Sequence, residues 1–146
     1  MRVTQGINFE CCYISDHKLN AHRYRAEVTV SGEQRYLDTG FVLEFDKFKK
    51  YLREVVPDGK FILAKYGYSG DVDEANVRDV GVAMAKCGIM TQEFTEASCE
   101  VMCEEIAHKL QQEFYLREPG IVVEEVKLRE TPDSFAVWTN NQNKSL

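Results

Sequence analysis

Hydrophobic and polar positions follow regular periods along most of this chain, and the periods predict its strands. Residues 3–13 are apolar and rich in β-branched and aromatic side chains, which is typical of a strand. Residues 22–30 alternate, so one face of a second predicted strand carries His22, Tyr24, Ala26, Val28 and Val30. The other face carries Arg23, Arg25, Glu27 and Thr29. Residues 31–33 predict a turn, and residues 41–43 predict a further short strand.

In three later segments the apolar residues recur with the period of a helix. Residues 44–56 form the first, which Pro57 ends, with an apolar stripe of Phe45, Phe48, Leu52 and Val55. Residues 73–87 form the second, with Gly88 suited to a left-handed exit and a stripe of Val77, Val80 and Met84. Ser98 can cap the third, which ends at Pro119 and Gly120. Its buried stripe is Met102, Ile106, Leu110 and Phe114, joined by Cys99 and Cys103.

The last part of the chain predicts a hairpin and a tail. Residues 122–130 and 134–139 read as strands on either side of a turn at residues 131–133. Residues 140–146 form a polar tail, so residues 1–139 are expected to be a single domain. Strands before and after the helices, with one helix inserted, predict the α+β class. A sheet with helices on one face leaves its edges open, and a small subunit can cover them by joining its neighbours in a closed barrel.

Composition narrows the setting of the protein. The chain has 146 residues, of which 44% are hydrophobic and 29% charged, as expected for a soluble globular domain. A formal net charge of −6 argues against nucleic-acid and membrane partners, which attract clustered cationic side chains. No apolar run is long enough to span a bilayer, and the N-terminus lacks a signal-peptide pattern. Five cysteines without framework spacing favour a reduced, cytoplasmic setting.

Two segments at opposite ends carry a family resemblance. The run Asp-His-Lys-Leu-Asn-Ala-His-Arg-Tyr at 16–24 leads into the second strand, and Val-Lys-Leu-Arg-Glu-Thr-Pro at 126–132 delivers a carboxylate. Together with Thr-Gly-Phe-Val-Leu-Glu-Phe at 39–45, their order and spacing resemble the 6-pyruvoyltetrahydropterin synthase and 6-carboxytetrahydropterin synthase family. The resemblance covers nearly the whole chain except roughly residues 64–94. It implies a T-fold, an antiparallel sheet with two main helices on one face, assembled as trimers or hexamers with pockets between subunits.

The resemblance places this chain's residues at the family's zinc positions. Tyr13, Asn20 and His22 stand where the family has three zinc-binding histidines. An amide oxygen and a neutral phenol are poor zinc ligands beside imidazole, so no cofactor is expected unless the site is rebuilt. A replacement zinc set could combine His17 and His22 with Cys11 or Cys12. The alternative is that His22 simply lines a pocket.

The catalytic positions are also changed. Asp16 stands at the family's catalytic cysteine, and Asp58 at the aspartate of its catalytic relay, whose histidine is replaced by Gly59. Asp16 can act as a base if burial raises its pKa, and otherwise is a turn residue or an exposed carboxylate. Without a metal, a developing enolate would lack its main electrostatic stabilisation.

Glu130 and Thr131 match the terminal Glu-Thr with which the family grips the pterin ring. Glu130 shares strand parity with Val126 and Leu128, so it starts on the apolar face and needs a partner. A pterin or guanine edge offers adjacent N–H donors that a carboxylate can accept. The alternative is a strand-end glutamate that reaches solvent or an arginine of another subunit.

Three functions follow from these readings. The first is a divergent homo-oligomeric family member that keeps a pterin-, guanine- or deazaguanine-like pocket and has lost the zinc-dependent reaction. The second is an active lyase on 7,8-dihydroneopterin triphosphate, with Asp16 as base and a remodelled metal site. The third is an oligomeric interaction protein without a ligand, which an occluded pocket and an internally paired Glu130 would indicate.

Overall fold

Among the residues that the structure describes, a mixed sheet of six strands forms the centre of the fold. The computed structural model describes residues 1–15, 18–33, 43–64 and 74–140. The strands, in chain order, are β1 (Arg2–Ser15), β2 (Lys18–Ser31), β3 (Lys60–Ala64), β4 (Thr91–Phe94), β5 (Val122–Arg129) and β6 (Phe135–Thr139). The helices are α1 (Phe45–Val55), α2 (Glu74–Lys86) and α3 (Cys99–Arg117). Across the sheet the strands lie in the order β4-β3-β1-β2-β5-β6.

The sheet is antiparallel on one side and parallel on the other. β1 pairs with β2, β2 with β5 and β5 with β6 in antiparallel fashion. β3 runs parallel to β1, and β4 runs parallel to β3, so the expectation of a wholly antiparallel sheet is corrected. The sequence analysis predicted neither β3 nor β4. β3 is apolar and buried from Phe61 to Ala64, so it shows no alternation, and β4 has only four residues.

The main core lies between the sheet and helices α1 and α3. The face of β2 predicted from alternation is confirmed, because Tyr24, Ala26, Val28 and Val30 are buried. The predicted stripe of α3 is confirmed as well, and its members Met102, Ile106, Leu110 and Phe114 are fully buried. In α1 one position was wrong: Phe45, at the first residue and the border of the stripe, is 42% exposed, and Tyr51 is buried.

Helix α2 lies on the opposite face of the sheet. Its Met84 packs against a small cluster made by Phe61, Leu63 and Cys12, whereas Cys11 belongs to the main core. The two neighbouring cysteines therefore face opposite sides, as predicted. Val80, predicted to be buried, is exposed, because α2 covers only this edge of the sheet. Gly88 has a φ of +77°, the left-handed exit expected of it.

The predictions for the hairpin, the strand at 41–43 and the tail have different outcomes. The C-terminal hairpin is confirmed, with bounds within a residue of those predicted. Of the strand predicted at 41–43, only Leu43 lies within the described residues, and it is buried but not in a strand. Residues 141–146 of the polar tail lie outside the described residues. In the part of the chain that the structure describes, no helix is both long and apolar enough to cross a membrane.

The burial of α3 makes a direct prediction about stability. Ile106→Asp places a charge without a partner in the core, because Ile106 is fully buried, and it should lower the free energy of unfolding by more than about 4 kcal/mol. The matched control is Leu116→Asp on the same helix, where the side chain is 78% exposed and little change is expected. Urea unfolding followed by circular dichroism measures both. A stable Ile106→Asp protein would contradict this assignment of the helix face.

Candidate functional site

The rings of Tyr13, His22 and Tyr24, which we call the ring ladder, lie on the core face of β1 and β2 near one end of the strands. The pairing register sets Tyr13 opposite Asn20 and Cys11 opposite His22. The ring of Tyr13 stacks on His22 with centroids 5.6 Å apart, and His22 lies 5.8 Å from the tilted ring of Tyr24. The structure therefore brings together the positions of Tyr13, Asn20 and His22, which the sequence analysis had placed in one site.

Glu130 joins this ladder from the other end of the chain. It directly follows β5, and its backbone N–H donates to the carbonyl of Ser134 at 3.0 Å, which closes the turn into β6. Its carboxylate Oε1 lies 2.8 Å from Nδ1 of His22. The two side chains are about one third exposed, at 33% and 29%. The predicted ligand anchor and the predicted metal ligand are thus partners of each other.

Burial keeps the phenol and thiol groups around Glu130 protonated. Desolvation by burial, followed by the charge of Glu130, raises the pKa of the Tyr13 phenol. Burial also raises the pKa of Tyr24 well above its ordinary value. Burial first and the Glu130 charge second raise the pKa of Cys99 to about 11, and burial raises that of Cys11 to about 12. Around Glu130, the phenols and thiols therefore remain neutral at neutral pH.

These properties decide how well the described donors suit zinc. Tyr13 is a neutral phenol, Asn20 offers an amide oxygen, and the thiol of Cys11 keeps its proton, so His22 is the good ligand among them. Nδ1 of His22 is engaged by Glu130, which leaves Nε2 for any other ligand. His17 lies outside the described residues. Within the described ranges no three His, Cys, Asp or Glu side chains group as a metal site. The described donor set does not fit zinc.

Asp58 lies in a different set of contacts. Its Oδ1 accepts from the backbone N–H of Glu10 at 3.3 Å, and its Oδ2 lies 3.9 Å from a guanidinium nitrogen of Arg53. The next residue, Gly59, donates to the carbonyl of Glu10 at 2.7 Å. Asp58 thus links the start of β3 to β1 and to α1. Asp16, the other predicted catalytic carboxylate, lies outside the described residues.

Thr131 serves the turn after β5. Its Oγ1 accepts from the backbone N–H of Ser134 at 3.0 Å, and its side chain is exposed beside Glu130. The pairing of Glu130 with His22 was missed by sequence reasoning. It depends on the register between β2 and β5, which pairs Arg25 with Arg129. The sequence signal that pointed to it was the apolar-face parity of Glu130, which required some partner.

Comparisons with known proteins agree with this architecture. The family model described as 6-pyruvoyl tetrahydropterin synthase matches residues 12–141, so the chain belongs to that family. Among curated protein sequences, none matches the chain significantly.

Solved structures show the same fold at low identity. A 6-pyruvoyltetrahydropterin synthase of Plasmodium vivax has a TM-score of 0.60 at 19% identity, covering 94% of this chain and 97% of the other. An uncharacterized protein of Wolinella succinogenes has a TM-score of 0.64 at 16% identity, covering 96% and 98%. The synthase of Caenorhabditis elegans has a TM-score of 0.61 at 15% identity, covering 96% and 95%. These likenesses confirm the α+β T-fold.

Whether the side chains of Tyr13, Asn20 and His22 meet at one point can be tested by replacing the first two residues with histidine. The double variant Tyr13→His, Asn20→His would present three imidazoles, with Nδ1 of His22 oriented by Glu130, so we expect it to bind about one zinc ion per chain. Elemental mass spectrometry after zinc loading and desalting measures the metal. The single variant Asn20→His is the control and should retain much less. A double variant without zinc would mean that the three side chains do not converge.

Proposed function

We propose that this family member binds a flat heterocycle with adjacent N–H donors, a pterin- or guanine-like ring, through Glu130. The supporting observation is the position of that carboxylate, which lies at the end of β5, beside a ladder of rings, and is only about one third exposed. One of its oxygens pairs with His22. A carboxylate has about four lone-pair sites, so the other oxygen can still accept from a ring N–H.

We propose further that binding in this chain is separated from zinc-dependent chemistry. The family is generally zinc-dependent, whereas the described donors here are an imidazole, an amide and a neutral phenol. His22 would then serve Glu130 rather than a metal, by fixing the orientation of the carboxylate through Nδ1. Asp16 and Asp58 stay candidates for proton transfer. The contacts of Asp58 with Glu10 and Arg53 favour a structural role for it.

An active lyase is the alternative that family membership favours. The relatives from Plasmodium vivax and Caenorhabditis elegans bear the synthase name. In that reading Asp16 would be the base acting on 7,8-dihydroneopterin triphosphate, with a metal site rebuilt from residues that include His17. Release of inorganic triphosphate from that substrate is the assay that separates a lyase from a binding protein.

An interaction protein without a ligand is the other candidate, and the His22–Glu130 pair is the observation that favours it. A glutamate that already has an internal partner needs no ligand. The partial exposure of both side chains weighs against full occlusion. In either case a homo-oligomer is expected, because β4 and β6 are the edge strands among the described residues and family members are typically oligomers. A trimer or hexamer is the proposed state.

Replacing the carboxylate tests the proposed binding site. Glu130→Gln removes the charge and one acceptor at nearly constant volume, so the affinity for pterin and for guanosine, used as probes, should fall by at least about thirtyfold. Glu125→Gln on the same strand is the matched control and should bind both probes normally. Calorimetry measures the affinities, and size-exclusion chromatography checks the oligomer. Unchanged affinity in Glu130→Gln contradicts the proposal, and no binding of either probe to the native chain favours the interaction protein.

A further inference from the structure

The sheet face opposite the ring ladder carries a groove, which we call the arginine groove. It has a volume of about 370 Å³ and runs over β1, β2 and the end of β5. Its lining includes Arg23, Arg25, Glu27 and Arg129, and at one end the groove reaches Glu130 and Thr131. Alternation along the strands separates this groove from the His22 side chain, which lies on the core face.

Two arginines stand directly opposite each other in the groove. The register of β2 and β5 pairs Arg25 with Arg129, an arrangement of like charges that destabilises a sheet unless something compensates it. Oε1 of Glu27 lies 3.5 Å from Nε of Arg25 and 3.3 Å from Nε of Arg129. The carboxylate of Glu27 is thus shared by two guanidinium groups, so these three side chains carry an excess positive charge. The whole chain, in contrast, has a formal net charge of −6.

The neighbouring strand is shaped to hold Arg25 in place. A Cβ atom at Gly6 would lie 2.4 Å from Nη2 of Arg25, so the absence of a side chain at Gly6 lets the guanidinium lie against β1. Nη1 of Arg25 also donates to Oδ1 of Asn8 at 3.1 Å. Arg129 is held as well: Nη1 donates to the carbonyl of Pro132 at 3.3 Å, and the guanidinium lies over Phe135. Both cationic groups are therefore ordered before any ligand arrives.

We propose that the arginine groove is a binding site for a phosphate-type oxyanion held between Arg25 and Arg129. The planar guanidinium presents a fork of N–H donors that matches a phosphate, and two forks from facing strands can contact one anion from both sides. The excess positive charge at Glu27 supplies the attraction, and the exposed hydroxyl of Thr131 can add a donor. The anion is either free phosphate or the phosphate of a larger ester. This proposal does not depend on ring binding, because the anion would be held by Arg25 and Arg129, whereas the ring would be held by Glu130, which lines one end of the groove and contacts His22.

Titration of inorganic phosphate and pyrophosphate into the full chain tests the site. Arg25→Gln and Arg129→Gln should each weaken anion binding by about tenfold or more, because each removes a charge-assisted contact. Arg117→Gln is the matched control, since Arg117 lies on α3 with Glu54 and Glu113 as partners, and its affinity should equal that of the native chain. Calorimetry gives the affinities. Tighter binding of pyrophosphate than of phosphate would indicate that the natural ligand is an ester or polyphosphate.

Gly6→Ala separates the site from the fold. The clash is with the flexible end of Arg25, so the side chain can move aside, and alanine in a strand should leave thermal stability equal or higher. We expect the melting temperature to be retained and anion affinity to fall as it does in Arg25→Gln. Native affinity in both Gly6→Ala and Arg25→Gln overturns the proposal, and so does a native chain that binds neither anion at millimolar concentration. Gly6→Ala should bind the pterin and guanosine probes as the native chain does, which keeps this test apart from that of ring binding.

Discussion

The register between β1 and β2 determines which side chains meet at the candidate site. It pairs Cys11 with His22 and Tyr13 with Asn20, and so puts His22 among the rings of the core face. A slip of one residue would turn every side chain of a strand to the other side of the sheet. The register is strongly specified because the face with Tyr24, Ala26 and Val28 is buried under α1 and α3. Core packing therefore determines where the polar residues of the same strands lie.

The two faces of the sheet give the protein two distinct chemical environments. On the core face, Glu130 pairs with His22 among neutral phenols and thiols, and we propose a ring-binding site there. On the opposite face, Arg25 and Arg129 share Glu27 over the space left by Gly6, and we propose an oxyanion site there. The end of β5 contributes to both, because Arg129 and Glu130 are adjacent and point to opposite faces.

The sequence predicted the features that depend on neighbouring residues better than those that depend on contacts between distant segments. Period-2 alternation in β2 and the helical stripe of α3 are local, so their buried faces were predicted correctly. β3 carries no alternation because both its faces are covered, and α2 packs on the opposite side through Met84, so the segment before β4 was read only in part. The His22–Glu130 pair and the facing of Arg25 and Arg129 arise from the β2–β5 register, which local patterns do not contain.

We propose that the imidazole of His22 orients the carboxylate of Glu130 and does not bind a zinc ion. The most direct test is the metal content of the native chain, purified without chelator and without nickel affinity, measured by elemental mass spectrometry. Because the described donors around His22 are a neutral phenol and an amide, we expect far less than one zinc ion per chain. Near-stoichiometric zinc that survives desalting would contradict it, and would mean that a rebuilt metal centre supports the lyase reaction.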